Sequence, residues 1–457
     1  MKKPNLTKGS ITKTLIYLSL PIIFANILQT AYQLTDTFWV GRLGTVAVAA
    51  VSVSFPVIFF LIALGMGLAM SGTILVSQFR GKGDDTIVDH ITGQTLALIG
   101  VISVVLSIVG YIFSPMILRF MGIEGLLFQD ALSYMQISFI GMLFMFVYMV
   151  FESVMRGIGQ VKIPVYIVAS TVLLNLILDP LFIFGYGIIP GFGVGGAAVA
   201  STITQALSAI IGMYFLIRGS YGVRLHLKDF VLDFPLIKKM FHIGWPSSVE
   251  HSSRALRMLL MTILVAYFGT QAIAAYGIGA RILSFVIIPA LGLAIATSAI
   301  VGQNIGAGKK DRAEKTVNRS MILGFSALTM VGVVIFIFAE PLSAFFIPGE
   351  TETIAMSAQF VRIMALFFGT IPLQMSVNGA FRGAGKTIVP MFLSLISLIV
   401  FQFPIAFYLS RYTELREMGI WWSFPISNFF AALMSILWFK TGSWKKKDIM
   451  TGVGEKK

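Results

Sequence analysis

The chain alternates long apolar runs with short breaks of charged residues, glycine and proline. Six runs lie near 15–40, 47–78, 91–118, 131–155, 163–187 and 194–218. A polar stretch from Arg218 to Lys239, holding Arg224, Lys228, Asp229 and Asp233, separates them from six more. These lie near 240–268, 274–304, 317–339, 355–380, 388–411 and 419–440. A helix needs about 20 residues to cross a hydrocarbon core of about 30 Å, and each run supplies roughly that length. The pattern predicts an all-α polytopic membrane protein with twelve transmembrane helices.

The two sets of six repeat one another. Gly44, Ala47, Ala49 and Ala50 recur as Gly269, Ala272, Ala274 and Ala275, a shift of 225. At the same shift Pro21 becomes Pro246, Gly67-Leu68-Ala69 becomes Gly292-Leu293-Ala294, and Gln78 becomes Gln303. Arg156, Gly157, Gly159 and Pro164 recur as Arg382, Gly383, Gly385 and Pro390, a shift of 226. With six spans per repeat, both halves enter the bilayer in the same direction. The expected organisation is an N-terminal lobe, 1–225, and a C-terminal lobe, 226–457. Parallel repeats of this kind usually enclose a pathway and move against one another.

Composition agrees with a membrane protein and excludes several function classes. The 457 residues are 57% hydrophobic and 12% charged, whereas a soluble domain carries about 25% charged residues. Cysteine is absent, which removes disulfides, thiolate metal sites and cysteine nucleophiles. The four histidines, His90, His226, His242 and His251, form no metal-ligand spacing. No nucleophile–base cluster is visible within the spans, so an enzyme is not expected, nor is a cofactor.

The net charge of +14 reads as retention of cations at one membrane face rather than as a nucleic-acid surface. Lys2, Lys3, Arg80, Lys82, Arg156, Lys162, Arg218, Arg224, Lys238, Lys309, Lys310, Arg312, Arg382, Lys386, Lys445, Lys446 and Lys447 gather at the termini, the even-numbered loops and the central linker. The opposite loops hold little beyond Arg42, Arg119, Arg411 and Arg416. That bias predicts two cytoplasmic termini. The run from Leu15 to Val40 is longer than a signal-peptide core and lacks a clear cleavage site, so it reads as a retained span.

Most acidic residues lie in loops and at span ends; Asp36 in span 1 and Asp179 in span 5 do not. A carboxylate in the hydrocarbon region costs roughly 2.5–3.5 kcal/mol and needs a partner, a proton or water. Asn175 stands four residues before Asp179, on the same helix face, so a carboxylate and an amide oxygen face one point. Such oxygens suit a hard cation or a shared proton. Pro180 frees a backbone carbonyl nearby. The counterparts in the second half are apolar, Met261 for Asp36 and Phe403 to Ile405 for Asp179. The scaffold is duplicated and the acidic pair is not, as expected of an ion site. A plainer reading of Asp36 is a polar helix end beside Arg42. Glu250 in span 7 has Arg254 four residues on and Arg257 beyond, which reads as a structural ion pair or as a gate in the second lobe. Glu152 and Arg156 share that spacing and read as structural. Pro21 marks a place where span 1 bends or hinges. The 23 Met and 39 Phe suit a pocket that adapts to varied apolar compounds.

Pro21, Asp36 within "LTDTFWVGRLG", Asn175 and Asp179 within "ASTVLLNLILDPLFIFG", "GAAVAST", "VGQNIGAGK" and the two Arg-Gly-x-Gly loops together resemble the multidrug and toxic-compound extrusion (MATE) family. The resemblance spans nearly the whole chain, and its acidic pattern is similar to the DinF-like branch. It implies a Na⁺ or H⁺ site in the N-terminal lobe at Asp36, Asn175 and Asp179, with Tyr134 in the same network. The family's hydroxyl after the alanine-rich stretch falls on Ser201, with Thr202 beside it. Two six-helix lobes around a central cleft are implied, in a monomer of the inner membrane surrounded by lipid. The activity implied is cation-coupled export of amphipathic, often cationic, small organic compounds. The nearest alternative is a flippase of the same superfamily for a lipid-linked or polar precursor. It would want a strongly cationic cavity, for which Arg254, Arg257, Arg281 and Arg362 are the intramembrane candidates.

Overall fold

The computed structural model describes residues 5–188, 190–445 and 449–450. Lys2, Lys3, Lys446 and Lys447 of the basic termini lie outside the described residues. The described chain is all-helical, as the apolar runs predict. Its helices are α1 (Ile11–Gly41), α2 (Thr45–Lys82), α3 (Asp85–Phe120), α4 (Gly125–Gly157), α5 (Lys162–Phe184), α6 (Val194–Arg218), α7 (Phe234–Ala266), α8 (Thr270–Gly306), α9 (Lys310–Ile337), α10 (Ala339–Phe346), α11 (Thr351–Ala365), α12 (Thr370–Gly383), α13 (Ile388–Ile396), α14 (Phe403–Tyr412) and α15 (Glu417–Lys440). Among the described residues, ten spans are long and apolar enough to cross a membrane, α13 and α14 counting as one. The pair α11 and α12, bent by 54°, makes an eleventh. The count falls one short of twelve at α7. That helix is 33 residues long, but Lys238, Lys239, Glu250, Arg254 and Arg257 interrupt every apolar stretch within it.

The polar linker is pinned rather than loose. Gln94 of α3 donates to the carbonyls of Asp229 (2.8 Å) and Val231 (2.7 Å) and accepts from the Asp233 amide at 2.9 Å. Glu152 and Arg156 form the expected one-turn ion pair at 2.7 Å.

Packing divides the chain into two units. Among the described residues one comprises 24–248, the other 6–23 with 249–450. The repeat counts whole helices and places the lobe boundary at 225/226. The packing units instead cut α1 after Ile23 and α7 after Ser248, 225 residues apart and each two residues past an intrahelical proline, Pro21 or Pro246. The first half of each helix thus packs in one unit and its second half in the other.

The repeated glycines explain how. A Cβ on Gly67 of α2 would fall 2.0 Å from the Ser248 amide nitrogen, and one on Gly244 would fall 2.8 Å from the Leu68 Cα. The Ser248 hydroxyl donates to the Leu64 carbonyl at 2.6 Å. In the second unit a Cβ on Gly292 of α8 would fall 2.5 Å from Ile23 Cγ1 and 3.2 Å from the Ser19 carbonyl oxygen. Gly67 with Ser248 and Gly292 with Ile23 are the same contact made twice. Overpacking typically costs about 1–3 kcal/mol, and more where backbone must move. Gly67→Ala meets backbone at 2.0 Å, whereas Gly292→Ala meets first an isoleucine side chain at 2.5 Å, with backbone no nearer than 3.2 Å. Thermal unfolding in detergent should therefore show the larger loss for Gly67→Ala, and equal losses would refute this account of the triplet.

Within the first unit α4 is central, packed against α2, α3 and α6, with α5 on α6. Small polar residues join the helices, as is usual where apolar burial cannot discriminate partners. The Ser153 hydroxyl donates to the Ala69 carbonyl at 2.6 Å and lies 2.7 Å from the Thr73 hydroxyl. The second unit builds α9, α11 and α12 around α8, with α15 against α12 and α14. Its hydroxyl chain runs from Thr297 to Ser320 (2.7 Å) and on to Ser376 (2.8 Å). Its aromatic core is centred on Phe360 and Trp421, whose ring centroids are 4.5 Å apart.

Residues 397–402, between α13 and α14, form a π-helical segment. A π-turn accommodates one extra residue without ending the helix. The repeat shift of 226 at Pro390 therefore becomes 227 beyond it. On that register Gln402 answers Asn175 and Ala406 answers Asp179.

Candidate functional site

Four helices of the first unit bring polar groups to one place. Asp36 and Tyr32 lie one turn apart on the second half of α1, Asn175 and Asp179 one turn apart on α5, and Ser201 and Thr204 on α6. Tyr134 comes from α4. Asn175 and Asp179 are fully buried. The Asn175 amide donates to Asp179 Oδ1 at 2.9 Å. Ser201 donates to Asp36 Oδ2 at 3.3 Å, and Tyr32 donates to Ser201 Oγ at 2.8 Å. The Tyr32 hydroxyl also lies 3.1 Å from the Thr204 hydroxyl. Asp36 and Asp179 lie in each other's field, with Asn175 beside them.

The network closes on itself except at three oxygens. Asp36 Oδ1, Asp179 Oδ2 and Asn175 Oδ1 are buried and accept no hydrogen bond among the described residues. Buried polar atoms are nearly always satisfied, so three neighbouring orphan acceptors call for a positive partner. The carboxylates repel each other if both are charged: unit charges 4 Å apart cost about 4 kcal/mol at an effective dielectric of 20. Either a monovalent cation or a shared proton removes that repulsion and fills the orphan positions. Among the described residues, no group of three His, Cys, Asp or Glu offers a further metal site.

Sequence expectation and structure meet residue by residue. Asp36, Asn175, Asp179 and Ser201 are brought together. Tyr134 lies in the field of both carboxylates without a hydrogen bond to either. Thr202 points elsewhere, toward the Ile137 carbonyl of α4 at 3.5 Å. Tyr32 and Thr204 were not anticipated, although Tyr32 stands four residues before Asp36 and Thr204 three after Ser201. Arg42 does not pair with Asp36; its guanidinium sits over the rings of Phe38 and Trp39, at 5.0 and 5.9 Å.

Among the described residues the second unit has no such site. At the repeat positions of Asp36, Tyr134 and Asp179 stand Met261, Phe360 and Ala406, all fully buried and packed in one apolar cluster with Trp421. Glu250 does not pair with Arg254. It is 1% exposed and held by Arg382 of α12, whose Nη2 donates to Oε1 and whose Nε donates to Oε2 at 3.3 Å. The reading as a one-turn pair is thereby corrected: a bidentate partner from a neighbouring helix outcompetes a guanidinium one turn away. Pro21 lies inside a continuous helix.

The family model MatE matches residues 21–181 and 246–408. The matched segments begin 225 residues apart and end 227 apart, the same two-residue drift as the register above. The chain is 30% identical over 453 residues to the probable multidrug resistance protein YoeA of Bacillus subtilis, covering 97% of this chain and 96% of that one. It is 24% identical to the FAD transporter of Shewanella oneidensis, over 93% of each. A crystal structure of a MATE protein in complex with MaL6 superposes with a TM-score of 0.92 at 26% identity, over 98% of this chain and 100% of that one.

Proposed function

This chain belongs to the multidrug and toxic-compound extrusion (MATE) family of transporters, and we propose that it is a Na⁺- or H⁺-coupled antiporter exporting amphipathic, often cationic, organic compounds across the inner membrane. The observation that carries this reading is the trio of orphan oxygens on Asp36, Asn175 and Asp179, present in one repeat and replaced by apolar core in the other. The lysine and arginine bias supports cytoplasmic termini, so the ion enters from outside and leaves inward. The working unit in this reading is a monomer of two lobes, 1–225 and 226–457.

In the proposed cycle, ion and substrate compete for different states of the first lobe. An ion at the Asp36–Asp179 pair neutralises the repulsion and lets the second half of α1 close on α5 and α6. Its release inward restores the state that binds substrate. A ligand shifts such an equilibrium only by its differential affinity for the two states. One charge crossing 100 mV supplies about 2.3 kcal/mol, equivalent to a gradient of about fifty-fold.

Pro21 serves as the hinge in this cycle, since a proline removes a backbone hydrogen bond and makes bending cheaper. Pro21→Ala should slow counterflow several-fold while leaving equilibrium ion binding within about twofold. A variant that transports at the wild-type rate would remove the hinge from the mechanism. The overall reading is tested by uptake of a fluorescent organic cation into proteoliposomes under imposed Na⁺ or H⁺ gradients. Response to one gradient supports the antiporter and identifies the ion; response to neither rejects it. The relative named as a FAD transporter favours a second reading, export of polar metabolites by the same machinery. Uptake of a flavin nucleotide without uptake of the organic cation would select it.

A further inference from the structure

The second half of α7 carries more positive charge than its surroundings neutralise. Glu250 is fully engaged by Arg382. Arg254 lies in the field of Glu250 and Arg382 but has neither a hydrogen bond nor an ion pair among the described residues. Arg257 lies in the field of Arg254 and of Tyr276. Arg257 Nε is buried without a partner, and so is Nε2 of His251, one turn before Arg254. Glu250 with Arg382 sums to zero, so Arg254 and Arg257 leave a local surplus of two positive charges.

These guanidinium groups are carried by the 21st and 24th residues of a 33-residue helix, well inside its second half. Each is expensive at that depth unless it meets water or an anion. Their positions are also telling in the repeat. Arg257 answers Tyr32, the hydroxyl of the cation network, and Arg254 answers Gln29. One lobe thus presents unsatisfied oxygens, and the other presents unsatisfied guanidinium N–H groups. Arg254 is exposed. Met258, one turn beyond it, is 63% exposed and offers a flexible apolar contact beside the charge.

We propose that Arg254 and Arg257, supported by His251, form an oxyanion-recognition site for a carboxylate or phosphate carried by the transported amphiphile. The inference rests on the export reading and deepens it: beside organic cations, the amphipathic substrates include zwitterions and anions with an apolar body, which this site would hold. Arginine suits this task because its planar N–H fork matches the geometry of both groups. Arg382 cannot serve, since Glu250 already occupies its fork.

The test uses two dyes that differ by one group, tetramethylrhodamine with its free carboxylate and its methyl ester. Their binding to the purified full-length protein in detergent is followed by fluorescence anisotropy. The free acid should bind wild type about tenfold or more tightly than the ester, as charge-assisted hydrogen bonds predict. Arg254→Gln and Arg257→Gln should each lower acid affinity several-fold and leave the ester unchanged. Arg254→Lys should keep part of the preference, which a merely structural arginine would not. An unchanged melting temperature certifies the fold of each variant. Equal affinities for the two dyes in wild type, or a preference that survives both glutamine variants, overturns the site. Displacement of the acid by short-chain phosphatidylglycerol, but not by an organic phosphate monoester, reassigns it to a lipid headgroup and overturns the substrate claim. Binding needs no ion gradient, so preferential binding with no gradient-driven uptake would sink the export reading and spare the site. Uptake without preference would do the reverse.

Discussion

Asp179→Asn is expected to abolish coupled transport while leaving the protein folded. Asp179 is fully buried, and the substitution keeps its shape and the oxygen that accepts from the Asn175 amide. What it removes is the negative charge and one of the three orphan oxygens, Oδ2, which an amide nitrogen replaces. Asp36 is then the one remaining carboxylate, so a cation or proton has no carboxylate repulsion to relieve, and the ion-bound and ion-free states lose most of their difference. In proteoliposomes at 100 mV, organic-cation accumulation should fall from as much as about fifty-fold toward unity. Asp36→Asn should do the same, since Asp36 contributes the second carboxylate and a second orphan oxygen. Ser201→Ala should be milder, about tenfold or less in ion affinity, because it deletes one neutral donor and leaves both charges. Wild-type accumulation in either aspartate variant would show that the pair only ties α1 to α5. Coupling would then have to be sought at Glu250.

How much of this could be read from the chain follows from the range of the interactions involved. Asp36, Asn175 and Asp179 stand out because acids and amides are rare in apolar runs and expensive there. Ser201 needed the family resemblance, since a lone serine carries no such signal. Tyr32 and Thr204 were hidden because hydroxyls are cheap at this depth. Only the convergence of α1 and α6 shows that they complete the network. Thr202 was drawn in by adjacency to Ser201, yet neighbours on a helix point about 100° apart and cannot share one target. Glu250 is the same lesson in three dimensions. Its one-turn spacing to Arg254 is visible in the sequence, whereas Arg382 lies 132 residues away. The π-turn at residues 397–402 left its only trace as a drift in the repeat from 226 to 227. That drift moves the counterpart of Asp179 to Ala406, an assignment no gap-free comparison reaches. The swapped first halves of α1 and α7 were foreshadowed by Gly67 and Gly292, whose conservation between repeats is explained by the helix backbones pressed against them.

Glu250→Gln should cost more stability than Arg382→Met, although the two residues form a single ion pair. Removing one partner from a buried pair typically costs about 3–5 kcal/mol, because the remaining charge stays desolvated and unpaired. Here the two losses leave different residues behind. Arg382→Met leaves Glu250, which is 1% exposed but has Arg254 one turn away as a replacement partner. Glu250→Gln leaves Arg382, Arg254 and Arg257 together with no carboxylate among them. The first variant should therefore fall near the lower end of the range or below it, and the second near the upper end. Glu250→Leu combined with Arg382→Met should recover part of the loss, since an apolar pair of similar volume incurs no desolvation cost. Thermal unfolding of the four proteins in one detergent gives the comparison directly. Equal losses for the two single variants would mean that Arg254 cannot turn to Glu250. It would then be fixed where it stands, as a group oriented toward a ligand rather than held in reserve for a neighbour.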